Sequence, residues 1–115
     1  MLIPAAERRI WLCVAAADMR RSFDGLAALA RNHLGEDPAD GSWFVFVNRR
    51  RTIVKVLSFD GGGYWVWAKR LEAGRFAAPD AGGRKRALDR TALLALLEGV
   101  DMEVKGRRRR YRKAA

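Results

Sequence analysis

A chain of 115 residues, half of them hydrophobic and a tenth aromatic, has room for one domain and apolar material for a modest core, which excludes wholesale disorder. Its 23 Lys and Arg outnumber 13 Asp and Glu, for a net charge of +10. One cysteine, Cys13, excludes an internal disulfide, and with no legible signal peptide or apolar run long enough to span a membrane the expected compartment is the cytoplasm, without membrane partners.

The charge is unevenly placed. Between Lys105 and Lys113 there are seven basic residues and no acidic one; without them the balance is 16 to 13, or +3. The body is mildly basic and the tail strongly so. Such a tail seeks a polyanion (DNA, RNA or an anionic membrane) or serves only as a solvated end.

Residues 9–15 read as a strand with Ile10, Leu12 and Val14 on one face and Trp11 and Cys13 on the other. Both faces are apolar, so the strand is central or covered on both sides. Ser22 to Leu34 reads as a helix, capped by Ser22, with Phe23, Leu26, Leu29, Ala30 and Leu34 on its buried stripe and Gly35 as its stop. A loop at 36–41 precedes three strands: Trp43–Val47, Thr52–Phe59 and Tyr64–Leu71. The links Asn48-Arg49-Arg50-Arg51 and Asp60-Gly61-Gly62-Gly63 are short enough for hairpins, which predicts an antiparallel meander. Residues 72–88 read as irregular. Asp89 caps a second helix over 90–98, with Leu93, Leu94, Leu96 and Leu97 on its buried side and Gly99 at its end. The fold class is α+β: a small single domain over 1–101, with both helices on the apolar face of a mostly antiparallel sheet, and a basic flexible tail over 102–115.

Catalytic chemistry is hard to assemble from these residues. His33 is the single histidine, so metal sites built on histidine pairs or cysteine sets are excluded, and no catalytic or metal-binding residue and no cofactor is assigned. Cys13 lies in an apolar strand, the wrong place for an activated thiol. Asp60-Gly61-Gly62-Gly63 lies between strands and reads as a turn, not a phosphate loop. Asp18, Asp24, Asp60, Glu72 and Asp101 are each explained by helix starts, turns or neighbouring arginines, so an acidic metal-binding triad is not inferred.

Binding chemistry is easier to find. Arg49, Arg50 and Arg51 cluster at a predicted hairpin tip. Lys69, Arg70 and Arg75 mark the end of the last meander strand. Arg107, Arg108, Arg109, Arg110, Arg112 and Lys113 form the tail. Arginine dominates, and its planar fork pairs well with phosphate oxygens. Little suggests base-edge recognition: only Asn48 and Arg49 are offered for it, and two residues on a loop are weak grounds for specificity, so phosphates are expected to dominate any DNA contact. Trp43, Tyr64, Trp65 and Trp67 read as core or, where two helices leave one sheet face open, as a stacking or protein-contact surface.

The residues in order also carry a resemblance. Asp18-Met19-Arg20-Arg21-Ser22-Phe23-Asp24-Gly25-Leu26, then Asp37-Pro38, Gly41, Phe44-Val45-Phe46, Asn48-Arg49-Arg50-Arg51 and Lys55-Val56-Leu57 form its first half. Asp60-Gly61, Gly63-Tyr64-Trp65, Lys69-Arg70-Leu71-Glu72-Ala73-Gly74-Arg75-Phe76 and Leu97-Glu98-Gly99-Val100-Asp101 complete it. Over roughly 8–101 the chain resembles the small accessory protein of insertion-sequence-sixty-six transposons. It departs at Met102, where that family commonly has an aromatic residue. The resemblance implies a non-enzymatic role in transposition beside a separate transposase that carries the acidic triad. DNA, in the form of transposon ends, and that transposase are the implied partners. Two readings follow: DNA binding through the basic loop and tail, or a protein-interaction module that meets the transposase through an exposed aromatic face.

Overall fold

The structure is a computed structural model that describes residues 8–77, 82–99, 103–104 and 107–108, the last two pairs as backbone only. Its main sheet has five strands: β1 (Ile10–Cys13), β2 (Trp43–Val47), β3 (Ile53–Asp60), β4 (Gly63–Arg70) and β5 (Lys85–Leu88), in the order β4-β3-β2-β1-β5. Two helices, α1 (Phe23–Asn32) and α2 (Arg90–Glu98), complete the α+β domain. After α2, a short antiparallel ladder pairs β6 (Glu103–Val104) with β7 (Arg107–Arg108), where the sequence predicts no regular element.

The meander forms as the turn chemistry predicts. β2 pairs antiparallel with β3, and β3 with β4 over eight residue pairs from Ile53↔Arg70 to Asp60↔Gly63. Gly61 (φ 54°) and Gly62 (φ 99°) close that hairpin in the left-handed region, which L side chains adopt only at a cost.

Three features differ from the sequence reading. β5 lies inside the stretch read as irregular; it is four residues long with Lys85 and Arg86 among them, so no apolar alternation announces it. β1 pairs in parallel with β2, with α1 as the crossover between them, and antiparallel with β5. The helices cover opposite faces of the sheet instead of sharing one.

The alternation along β2 explains that arrangement. Trp43, Val45 and Val47 join Ile10, Leu12, Val54, Val56 and the α2 residues Leu93, Leu96 and Leu97 in one buried cluster. Phe44 and Phe46 point the other way, to Cys13, Leu57 and the α1 residues Leu26, Ala27 and Ala30. An apolar row on each face needs its own cover, and each helix supplies one.

The caps differ in mechanism. Asp89 Oδ1 accepts from the Ala92 amide at 2.7 Å. Ser22 is the N-cap of α1, but its side chain makes no cap bond; its carbonyl accepts from the Leu26 amide at 2.8 Å. Phe23 and Leu94, both read as buried, are 46% and 42% exposed because each sits on the outer side of its helix. The two halves of α2 therefore separate in energy. Leu93→Ala should cost about 2–5 kcal/mol of stability, the range for a buried large-to-small change. Leu94→Ala should stay within about 0.5 kcal/mol, as surface changes do. Urea denaturation of the two variants checks this; equal losses would place α2 in the wrong rotation.

Candidate functional site

Five chain segments arrive at one end of the sheet. Parallel pairing brings the last residues of β1 and β2 there together. The β2–β3 link turns there, β4 ends opposite the first residue of β3, and β5 begins opposite Cys13. α2 also finishes there. Gly99 (φ 80°) is packed so tightly on Leu71 that an added Cβ would come within 2.8 Å of its Cδ1, and 3.6 Å from the Arg75 carbonyl oxygen.

The arginine tip is built around Asn48. Its Oδ1 accepts from the Thr52 amide at 2.8 Å and the Ile53 amide at 3.0 Å, and its Nδ2 donates to Thr52 Oγ1 at 3.2 Å. Arg51 closes the turn with φ 60°, and its amide donates to the Asn48 carbonyl at 3.0 Å. Arg49 and Arg50 are exposed; Arg51 is half-buried. Asn48 Oδ1 and one of its two amide hydrogens hold the turn, which ties the side chain to its own loop.

The second basic group docks against the first. The Phe76 amide donates to the Arg51 carbonyl at 2.7 Å and the Leu71 amide to the Thr52 carbonyl at 2.8 Å. This brings Arg70 and Arg75, both exposed, to the same end as Arg49–Arg51. Arg70 makes an exposed ion pair with Glu72 at 3.2 Å. Lys69 is engaged differently: its Nζ donates to the Leu97 carbonyl at 2.8 Å, capping the last turn of α2. Of the predicted tail cations, Arg107 and Arg108 form β7, while Arg109, Arg110, Arg112 and Lys113 lie outside the described residues.

Sequence reasoning passed over Arg84. The Val14 amide donates to its carbonyl at 2.9 Å, so Arg84 joins the basic end, exposed. The run Arg84-Lys85-Arg86 was the available signal. Arg21 is exposed in the loop before α1, and Lys55 Nζ draws that loop onto the sheet by donating to the Met19 and Arg21 carbonyls, each at 2.8 Å. Arg20 is tied locally to Asp18, whose hydrogen bonds from the Arg20 side chain hold its carboxyl down at about 2. A cleft of about 170 Å³ opens at this end between Cys13, Ala15, Val47, Arg49 and Arg51. The larger hollow, about 630 Å³, lies at the opposite end beside Arg8, Arg9 and Arg90.

Aromatic stacking on an open face is not what the structure offers. Trp43 is 7% exposed and packs edge-to-face on Trp65 at 5.0 Å, and Trp65 and Trp67 are half-buried on the α2 side. Among the described residues no group of three or more His, Cys, Asp or Glu side chains is arranged to hold a metal, and no helix there is long and apolar enough to cross a membrane. Cys13 is buried, its Sγ faces the Ala15 carbonyl at 3.4 Å, and burial pushes its thiol up from the ordinary value.

Two outcomes test this geometry. Asn48→Ala strands two amides and should cost about 1–3 kcal/mol in urea denaturation, whereas Arg51→Gly relieves the left-handed backbone and should range from neutral to about 1 kcal/mol stabilising. Cys13 should react with a disulfide reagent at mildly alkaline pH far more slowly in the native protein than in urea, since its thiolate is disfavoured and covered; equal rates would contradict its burial.

The IS66 Orf2-like family model matches residues 8–107. Two relatives come from Sinorhizobium fredii. Uncharacterized protein y4hO is 37% identical over 101 residues, covering 87% of this chain and 88% of its own. Uncharacterized protein y4jC is 35% identical over 79 residues, covering 69% of this chain and 68% of its own. No solved structure matches. With the family model spanning almost the whole body, and the Asn48–Arg51 tip and the Lys69–Phe76 strap inside that span, the chain belongs to the IS66 Orf2-like family, accessory proteins of insertion-sequence transposition.

Proposed function

We propose that this chain assists a separate transposase by holding DNA without cleaving it, through phosphate contacts along the basic end of its sheet. One observation carries the reading: the fold gathers Arg49, Arg50, Arg51, Arg70, Arg75 and Arg84 at one end, and the chain leaves α2 at that same end towards its basic tail. Arg49, Arg50, Arg75 and Arg84 are exposed, Arg51 is half-buried and Arg70 is held by an exposed ion pair, so most of these guanidinium groups can reach phosphate oxygens. Lys69 belongs to this group by position only, since its ammonium is held by Leu97. The tail over 102–115 extends the domain over 1–101 and adds Arg107, Arg108, Arg109, Arg110, Arg112 and Lys113 to the contact. The alternative, a module that meets the transposase through an exposed aromatic face, has less support, because the tryptophans of the meander are buried or half-buried.

Phosphate contacts position a protein on DNA without reading its sequence, so affinity should fall steeply with salt and differ little between transposon-end and scrambled duplex. Each phosphate neutralised contributes a slope of about −0.9 in log affinity against log salt. Deleting residues 105–115 should flatten that slope by several units. Replacing Arg49, Arg50 and Arg51 by Ala should flatten it by up to about three units, weakening all duplexes alike. A fluorescence-anisotropy salt series on both duplexes measures this. An unchanged slope in both variants would reject the electrostatic reading and favour a protein contact.

A further inference from the structure

We propose that the outer edge of β4 is the surface through which two copies of this chain pair, antiparallel, into one continuous sheet. The two sheet edges are built differently. β5 is four residues long and carries Lys85 and Arg86, the short charged form that protects an edge from pairing. β4 is eight residues long, and its first six, Gly63-Tyr64-Trp65-Val66-Trp67-Ala68, contain neither charge nor proline. Its register with β3 runs unbroken from end to end, so no bulge turns the edge away. Among the described residues no strand pairs with its outer side. Trp65 and Trp67 on the α2 side, and Tyr64 and Val66 on the α1 side, are all half-buried at that margin.

A second copy fits this edge by charge. β4 starts at the exposed Asp60 turn and ends at exposed Arg70, so it is acidic at one end and basic at the other. The Arg70–Glu72 ion pair is exposed on both sides and holds Arg70 only loosely. Antiparallel pairing about a twofold axis sets the Asp60 end of each copy beside the Arg70 end of the other. The same arrangement carries the two arginine tips to opposite ends of the joined strands. Eight residues at about 3.4 Å each separate them by roughly 27 Å, several times the roughly 8 Å over which charge is screened at physiological salt. A strongly basic chain can therefore pair with itself without stacking its basic ends. The inference stands independently of DNA binding.

Sedimentation equilibrium of the full chain at high salt tests it. The expected mass is about 26 kDa, twice the 12.9 kDa chain. Ala68 is exposed on β4 opposite Lys55 and near the Arg70 end, so Ala68→Glu faces a cation within its own sheet and sets an acid beside the acidic end of the second copy. It should halve the mass while leaving the circular dichroism spectrum of the folded chain unchanged. A wild-type chain that sediments as a monomer at every concentration overturns the proposal. So does a dimer that persists in a folded Ala68→Glu protein. Should that variant unfold, hydrogen exchange of the wild type decides. Protection of every second β4 amide, the set pointing away from β3, supports the pairing, and rapid exchange of that set overturns it.

Discussion

Everything in this fold depends on β2 being buried on both faces. All five residues from Trp43 to Val47 are at most 7% exposed, and their side chains alternate between two separate clusters. A strand in that position needs cover above and below. With two short helices available, each must take one face. The chain therefore crosses from β1 to β2 over one side and runs from β5 into α2 on the other. This crossover makes β1 and β2 parallel, so both end at the same margin of the sheet. Each apolar slab is thin, which explains why the connection from 14 to 22 is also recruited. Ala17 is buried, its amide bonds the Val47 carbonyl at 2.9 Å, and Lys55 ties down two further carbonyls.

Lysine and arginine divide the work that this architecture leaves to cations. The three lysines of the described body border the core, and each is engaged. Lys55 holds the loop before α1, and Lys69 caps α2. Lys85 pairs with Glu36 and lies over the Trp11 ring at 4.6 Å. A compact ammonium on a flexible apolar stem suits that use, since the stem packs while the charge reaches a carbonyl. The arginines at the converging end instead stay largely at the surface, where a planar fork with five donors remains available. The electropositive end thus comes from the residues the core does not consume.

This division also explains how much of the molecule was legible in the sequence. The meander and both helices were readable because their apolar periodicity and turn residues agree. Asp89 and Gly99 mark α2 to the residue, and Gly61-Gly62 marks the hairpin. β5 was not readable, since Lys85-Arg86-Ala87-Leu88 lacks alternation and becomes a strand only through the β1 edge beside it. The placement of the helices on opposite faces differs from the expectation although its signal is in the sequence: an uninterrupted apolar run from Trp43 to Val47 requires two covered faces. Phe23 and Leu94 show the limit of periodicity in a short helix, where one residue at the stripe's border falls either way. For the candidate site, composition identified the arginines but not their convergence, which depends on parallel pairing. It also could not separate Lys69 or Asn48 from free surface groups, because their hydrogen bonds join elements distant in the chain or close a turn.

The state of Asn48 bears on how labour would be divided in transposition. On the proposed reading, the exposed groups at the basic end are arginines suited to phosphate, while the one amide side chain of the tip is locked inside its turn. Phosphate contacts are the same at every position of a duplex, so on that reading they add affinity without favouring transposon ends over other DNA. On the same proposed reading, choice falls to the transposase, and the accessory chain would add affinity once it is delivered. Non-specific contacts of this type typically have dissociation constants of about 10⁻⁴–10⁻⁶ M at physiological salt. That is weak for a free protein. It is ample for one held beside its DNA by a partner, where the effective concentration reaches the millimolar range. A basic end that bound tightly by itself would instead be spread over the whole chromosome. Modest, sequence-blind affinity is therefore the form of DNA contact that suits an accessory protein best.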